Sequence, residues 1–441
     1  LQQLIDKVER YLSSVEGIAE VIIAYSGGVD SHVLLHICSQ LQPRLKTLSF
    51  KAIYIDHGLQ QDASQWGAHC LRVAASLGLE CRVERVNAND VNGDGPEQAA
   101  RNARYAALRA HCSKQTLVLT AQHQEDQAET LMLQLFRGAG VKGLASMPRL
   151  AGFGDGLIGR PLLECSQQEI LDYAQQEKLD WVEDPSNLAL AYDRNFIRQQ
   201  LIPLIKQRWP AFAKTTARTA SHCAEASAVL EDYAASLLMP QRRAEFDLVS
   251  IADQDDRHRR LMLRQWLADN AVRMPSEKVL QQLLMLLTAK KSACVAWAQY
   301  QVHLYKGFLH LNQQQLEPVP LTGIVWQAET IELPGSSGEL SKRPVLRGGI
   351  SSRYWSESRV SIRRRVGGES LQVMGRSCRK TLKKLYNESH VFPWLRDHLP
   401  LIYVDEELVA VADLWLAEGF SAMEGEEMYC IEWSHPGFCI Q

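Results

Sequence analysis

The chain has 441 residues, with 48 Lys or Arg against 51 Asp or Glu, for a formal net charge of −3. Hydrophobic residues at 46% and charged residues at 22% suit a folded chain of two to four domains and exclude wholesale disorder, collagen and coiled coil. No apolar run approaches the roughly 18–20 residues of a membrane span, the polar start Leu1 to Tyr11 does not read as a signal peptide, and the near-neutral balance taken alone argues against a nucleic-acid partner. Ten Cys are dispersed without a C-x-x-C pair. Reduced, mostly buried thiols in a cytoplasmic protein are expected, not a disulfide scaffold or a zinc or iron–sulfur site.

Short apolar runs at Glu20–Tyr25, Phe50–Ile55, Cys81–Val86 and Thr116–Thr120 read as strands. Ser31–Leu41, Asp62–Leu77 and Pro96–Cys112 read as helices between them. This alternation predicts an α/β fold with a doubly wound parallel sheet, whose ligands lie beyond the carboxyl ends of the strands. From about Arg208 the pattern becomes helical, over Ala211–Leu238 and Asp255–Leu287, with Ser276 after Pro275 as an N-cap. Cys294–Leu311 reads as one or two strands and Ile324–Leu333 as another. Val360–Val366 alternates with period two, placing Val360, Ile362 and Val366 on one face with Arg364 interrupting it. The last region is a small α+β unit, and there are no internal repeats.

Ser26-Gly27-Gly28-Val29-Asp30-Ser31 stands between the first strand and its helix. Two glycines allow a tight turn, and free N–H groups at a helix start favour an anion. A carboxylate at Asp30 beside phosphates makes sense with Mg²⁺ between them. A bare strand–helix turn is the alternative. Asp56 and His57 end the second strand, where His57 has either a ligand role or a structural one. Arg101 and Arg104 share a helix face, which suits a phosphate or a solvated basic surface. After the fourth strand, His123, Asp126 and Glu129 fall on one side of a helix start. An imidazole and two carboxylates there suit Mg²⁺, a substrate amine or a general base; a polar helix start is the plainer reading.

SGGVDS resembles the PP-loop of the N-type ATP pyrophosphatases, which cleave ATP to AMP and pyrophosphate while adenylating a carbonyl oxygen. With DHGL, EQAARNARY, AQHQEDQAET, RPLL, WVEDPSN and RNFIR in this order over residues 20–205, the chain resembles the tRNA(Ile)-lysidine synthetases. Gly367-Gly368-Glu369, Arg379–Leu385 and Pro393–Arg396 are similar to the tRNA-binding tail of their longer form. Gln122 and Glu125 depart from the HHxDDxxET pattern of that family, Glu125 keeping the charge with one methylene more.

The resemblance implies ATP as co-substrate with Mg²⁺, free L-lysine, and an isoleucine tRNA with a CAU anticodon; no membrane and no protein partner are implied. It implies a catalytic domain over 1–210, a helical tRNA-contacting domain over 211–320 and a basic tRNA-binding domain over 321–441. Ser26, Gly27, Gly28, Val29, Asp30, Ser31, Asp56, His57, Arg101 and Arg104 would bind ATP. Asp30 and Asp126 would hold metal, and Asp126 and Glu129 metal or the lysine ammonium. His123 or an acid beside it would take a proton from lysine, which is almost wholly protonated at pH 7 given a pKa near 10.4. Arg194 would stabilise the adenylated base or its phosphate.

Within residues 341–396, fourteen Lys or Arg face three acids. The tRNA contacts expected there are Arg363, Arg365, Arg376, Arg379, Lys380, Lys383, Lys384 and Arg396. Trp355, Tyr386 and Trp394 either stack on bases or pack in the core. The competing readings are a PP-loop tRNA thiolase, opposed by the missing C-x-x-C and the DPSN…RN block, and a non-catalytic RNA-binding relative, opposed by the intact loop with Asp126 and Glu129.

Overall fold

A computed structural model describes residues 2–56, 63–86, 96–183, 189–190, 192–238, 244–289, 292–313, 321, 323–335, 337–345, 348–421 and 426–434. The side chains of residues 63, 64 and 96–98 lie outside this description, as does His57. The chain divides into two compact units, Leu1–Asp232 and Tyr233–Gln441.

The first unit has strands β1 (Glu20–Ala24), β2 (Ser49–Asp56), β3 (Glu80–Arg85), β4 (Thr116–Leu119), β5 (Leu150–Phe153) and β6 (Gly156–Gly159). Its helices are α1 (Gln2–Ser13), α2 (Val29–Leu41), α3 (Ala63–Ser76), α4 (Pro96–Ala110), α5 (Gln124–Phe136), the single turn α6 (Val141–Leu144), α7 (Gln167–Gln176), α8 (Asp193–Phe196) and α9 (Ile202–Arg208). The sheet order is β3-β2-β1-β4-β6-β5, parallel except for β5, which forms an antiparallel edge on β6. The expected strands and helices appear with ends shifted by one or two residues; the β5–β6 hairpin and α1 are additions.

Side-chain alternation along β1 explains the double winding. Val21 and Ile23 join α1, α2, α3 and α7 in one core, through Val8, Leu34, Ala74 and Ile170. Ile22 points into the other, with Ile53, Val118 and Leu108 of α4. Each such fully buried aliphatic side chain contributes about 1.5–3 kcal/mol relative to exposure. Strand order reverses between β1 and β4, and the crevice at that switch receives the segments that follow both strands.

Helix α10 (Phe212–Leu237) contains the division between the units. The second unit begins with β7 (Glu245–Asp247), α11 (Asp256–Asp269), α12 (Glu277–Leu286), β8 (Cys294–Trp297), β9 (Tyr300–Tyr305) and β10 (Phe308–Gln313), in an antiparallel sheet ordered β7-β10-β9-β8. Ser276 is the N-cap of α12, without a side-chain capping bond. Two further antiparallel sheets follow. One consists of Ile324–Val325, Val360–Arg363, Leu401–Val404, Glu407–Val411 and Trp415–Leu416; the other joins Thr330–Glu332, Glu339–Val345, Met428–Ser434 and Ile350–Ser351. The run expected over 324–333 is thus two short strands in different sheets. Val360 and Ile362 are buried as expected, but Val366 is 95% exposed, because the strand ends at Arg363.

Nine free Cys are described; Cys38, Cys70 and Cys165 are buried, whereas Cys294 and Cys378 are exposed, fewer buried thiols than composition suggested. Among the described residues no helix is long and apolar enough to cross a membrane.

Candidate functional site

The loop after β1 is organised by its own serines. Ser31 Oγ donates to the Gly28 carbonyl (3.0 Å) and accepts from the Ser26 N–H (3.1 Å), while the two hydroxyls lie 2.9 Å apart. Gly27 adopts φ +84°, a region that disfavours any Cβ, and an added one would stand 3.2 Å from Cys70 Sγ. Gly28 is the N-cap of α2 and supplies no side-chain cap, so the first N–H groups of the helix face the loop. Val182 N–H bonds the Gly27 carbonyl at 3.0 Å, tying the Trp181-Val182-Glu183 segment to the loop; residues 184–188 lie outside the described residues.

Asp30 sits in the first turn of α2. Its Oδ1 is buried without a hydrogen-bond partner, and burial pushes the carboxyl pKa up. His123, 2% exposed, lies across the crevice at the N-cap of α5. Its Nε2 is 3.7 Å from Asp30 Oδ2 and 3.5 Å from Asp126 Oδ2, and its Nδ1 is 3.2 Å from Glu125 Oε2. Burial opposes the charged imidazole, but Asp126, Glu125 and Asp30 together raise its pKa to about 9. In this arrangement the surrounding carboxylates favour the imidazolium form of His123, which donates a proton rather than accepting one. Of the two proton acceptors expected, His123 or an acid beside it, three carboxylates around one ring favour the acid.

The titration has a measurable consequence. A folded pKa above the ordinary 6.5 contributes stability in full below pH 6.5, lost as pH rises through about 9. The stability gap between the protein and His123→Gln should be about 3 kcal/mol at pH 6 and shrink steadily toward pH 9.5 in denaturant melts. A gap independent of pH contradicts the charged imidazole.

Asp126 and Glu129 meet two arginines. Arg194 donates from Nε to Glu129 Oε2 (2.8 Å) and from Nη2 to Asp126 Oδ1 (3.0 Å). Arg198 donates from Nη2 to Asp126 Oδ1 (3.0 Å) and Glu129 Oε2 (2.9 Å), and from Nε to Glu129 Oε1. Arg194 lies in α8 and Arg198 in the π-helical turn Ile197–Leu201. Asp126 Oδ2 also accepts the His123 N–H at 3.1 Å. Both Asp126 oxygens are thus engaged in this structure, and Asp30 Oδ1 is the carboxylate oxygen of the crevice left without a partner among the described residues. Arg194 is correspondingly an ion-pair partner, and its pKa rises because these carboxylates outweigh burial. Sequence reading passed over Arg198, although RNFIR carries the i, i+4 spacing that signals it.

Glu125 is also fully employed. It accepts from Lys206 Nζ (3.1 Å) and the Gln167 N–H (2.9 Å), linking α5 to α9 and α7. Burial opposes its charge, but His123, Gln167 and Lys206 hold its carboxyl at about 2. The extra methylene reaches these partners. Gln122 accepts a hydrogen bond from the Thr120 hydroxyl. Asp56 is buried at the end of β2, with Arg85 3.6 Å away.

Among the described residues no three His, Cys, Asp or Glu side chains are arranged to enclose a metal ion. An Mg²⁺ held by one carboxylate and by substrate phosphates needs no such cage, and the unpaired Asp30 Oδ1 beside the phosphate loop suits it.

In the second unit the basic segment is largely neutralised. Residues 397–441 carry ten acids and no Lys or Arg, so the sixteen acids of 321–441 outnumber its fourteen cations; the region is not basic as a whole. Arg363 forks onto Glu406 (2.7 and 3.0 Å), Arg365 reaches Asp397 (3.4 Å), and Arg379 reaches Glu407 (3.3 Å). Arg376 and Lys380 share Glu388 at 3.2 and 2.8 Å. Arg396 donates to the Val391 carbonyl, and Tyr386 is fully buried. Trp394 stacks on His303 and Phe392, so it packs inside the unit, and Trp355 packs edge-on to Trp326. Lys383 and Lys384 remain exposed, without ion pairs among the described residues, on the outer side of the short helix Leu382–Glu388.

Comparison with known proteins follows the same division of the chain. A PP-loop domain model matches residues 1–205, a TilS substrate binding domain model residues 246–310, and a TilS substrate C-terminal domain model residues 360–433. The tRNA(Ile)-lysidine synthase of Methylococcus capsulatus is 36% identical over 422 residues, covering 93% of this chain and 95% of that protein. The enzyme of the same name from Coxiella burnetii is 35% identical over 427 residues, covering 96% and 94%. With a phosphate loop at the sheet's switch point, an acid–arginine cluster opposite it and near-complete alignment to these relatives, the chain belongs to the tRNA(Ile)-lysidine synthase family.

Proposed function

We propose that the protein joins free lysine to C2 of the wobble cytidine in an isoleucine tRNA with a CAU anticodon, consuming ATP and forming lysidine in the cytoplasm. The observation that carries this reading is the crevice between β1 and β4, where an uncapped helix start faces buried Asp126, Glu129 and His123. Residues 1–210 would perform the chemistry, while 211–320 and 321–441 would hold the tRNA.

The cytidine O2 attacks the α-phosphorus of ATP and pyrophosphate leaves. The lysine amine then attacks C2, and AMP departs with the original oxygen. Ser26, Ser31 and the N–H groups opening α2 bind the pyrophosphate end, with Asp56, Arg101 and Arg104 as further ATP contacts. Asp30 would hold Mg²⁺, which offsets phosphate charge when bound. Asp126 and Glu129 recruit the lysine ammonium in exchange for part of their arginine contacts. Imidazolium His123 donates toward the phosphate, leaving an acid of the cluster to take the lysine proton.

The thiolase reading finds no support beneath the loop: burial pushes the Cys70 thiol up to about 12, so it is not a nucleophile at neutral pH. A direct test monitors ATP conversion to AMP and pyrophosphate with lysine and tRNA(Ile) added separately and together. Stoichiometric AMP and lysidine are expected when both are present; AMP release without modification of the tRNA refutes the reading.

Lys383→Glu with Lys384→Glu should weaken tRNA binding by about tenfold at low salt and flatten its salt dependence. Arg379→Ala, whose charge is already met by Glu407, should change it less than threefold. Fluorescence anisotropy over 50–200 mM salt measures both.

A further inference from the structure

Helix α4 and the end of β6 bring together three arginines that no carboxylate among the described residues pairs with: Arg101, Arg104 and Arg160. They surround Tyr105. Arg101 Nη2 donates to the phenol oxygen at 3.3 Å with its Cζ 4.8 Å over the ring, Arg104 Cζ lies 5.8 Å from the ring, and Arg160 approaches the phenol. Arg160 is 6% exposed; its Nη1 donates to the Pro148 carbonyl at 2.7 Å, but its Nε is buried with no partner. Three cations with no counter-charge among the described residues, one carrying a buried Nε donor without a partner, suit an anion that completes them.

The balance of charge in the crevice identifies that anion. The loop after β1 brings no cation and adds Asp30, while Arg194 and Arg198 are consumed by Asp126 and Glu129. The remaining crevice cation, His123, is shared by three carboxylates, so a nucleoside triphosphate gains further neutralising side chains from α4 and the end of β6, where Arg104 is close enough to Arg194 to be repelled by it. We propose that Arg160 and the Tyr105 hydroxyl join Arg101 and Arg104 in a pocket for a phosphate oxyanion of ATP. This rests on the ATP-dependent reading above and adds two residues to it. Tyr105 accepts from Arg101, so its O–H is free to donate. The neighbouring guanidiniums offset burial and draw the phenol below its ordinary pKa, strengthening that donor. The ring itself is held edge-on to Phe153 at 5.9 Å.

The test uses the full chain and a non-hydrolysable α,β-methylene ATP analogue with Mg²⁺, measured by calorimetry, with tRNA binding measured separately. Tyr105→Phe keeps the ring packing and should weaken the analogue about three- to tenfold, and Arg160→Lys about tenfold or more, both with tRNA affinity within twofold. If Arg160→Lys does not fold, Tyr105→Phe decides alone. Analogue affinity within twofold of the parent for the folded variants overturns the pocket, and so does a loss confined to tRNA, which would assign the arginines to an RNA phosphodiester. A parent protein that binds the analogue but never modifies tRNA refutes the proposed reaction and leaves the pocket standing.

Discussion

Asp30→Asn is expected to reduce lysidine formation by at least about a thousandfold while tRNA affinity stays within twofold. The carboxylate stands in the first turn of α2, with Oδ1 buried and unpaired beside the phosphate loop. Its fold contribution has the opposite sign. Burial raises its pKa, so above that pKa the ionised group costs stability, and the neutral amide should melt no lower than the parent at pH 7. Loss of turnover with an unchanged or higher Tm would mark the residue as retained for chemistry. Turnover within tenfold of the parent sinks the role assigned to it, and a fall in Tm contradicts the electrostatic account.

The second large effect is structural. Arg194→Met should destabilise the first unit by about 1–3 kcal/mol, because Glu129, only 1% exposed, and Asp126 each lose one of two guanidinium partners. Arg198, itself 40% exposed, retains part of the compensation. Arg194→Met combined with Glu129→Gln should recover part of the loss, since one arginine then faces one carboxylate, Asp126, instead of two. Urea denaturation of the single and double variants measures this; equal destabilisation in both would show that packing, not charge, holds the cluster. Neither variant should regain activity if Glu129 recruits the substrate ammonium.

Much of this was legible in the chain. Continuous apolar runs located β1, β2 and β4 because these parallel strands are buried on both faces, and helical patterns located α2 to α4; the exposed edge strand β3 was legible from its place between two helices. The phosphate loop was legible because Gly27 must adopt a positive φ, a constraint that leaves few residue choices. Partnerships across the fold were not legible. Asp126 and Glu129 share a helix face in any reading, but nothing local shows that residues 194 and 198, some seventy positions later, fill that face with guanidinium groups. Charge misled twice for the same reason. The whole-chain value of −3 hid the basic run at 341–396, and that run in turn hid the acids of 397–441 that the fold folds back onto it. Local composition counts charges; only tertiary structure says which remain unpaired.

The central claim is that the crevice between the loop at Ser26–Ser31 and the cluster at His123–Glu129 joins lysine to tRNA. Incubation of the protein with ATP, Mg²⁺, ¹⁴C-lysine and tRNA(Ile) bearing a CAU anticodon tests it most directly, followed by nucleoside digestion and mass spectrometry. The account predicts one lysine per tRNA at the wobble cytidine, none in methionine tRNA and none with Asp30→Asn. Active ATP cleavage with no lysine in the nucleoside, or equal labelling of methionine tRNA, would contradict it.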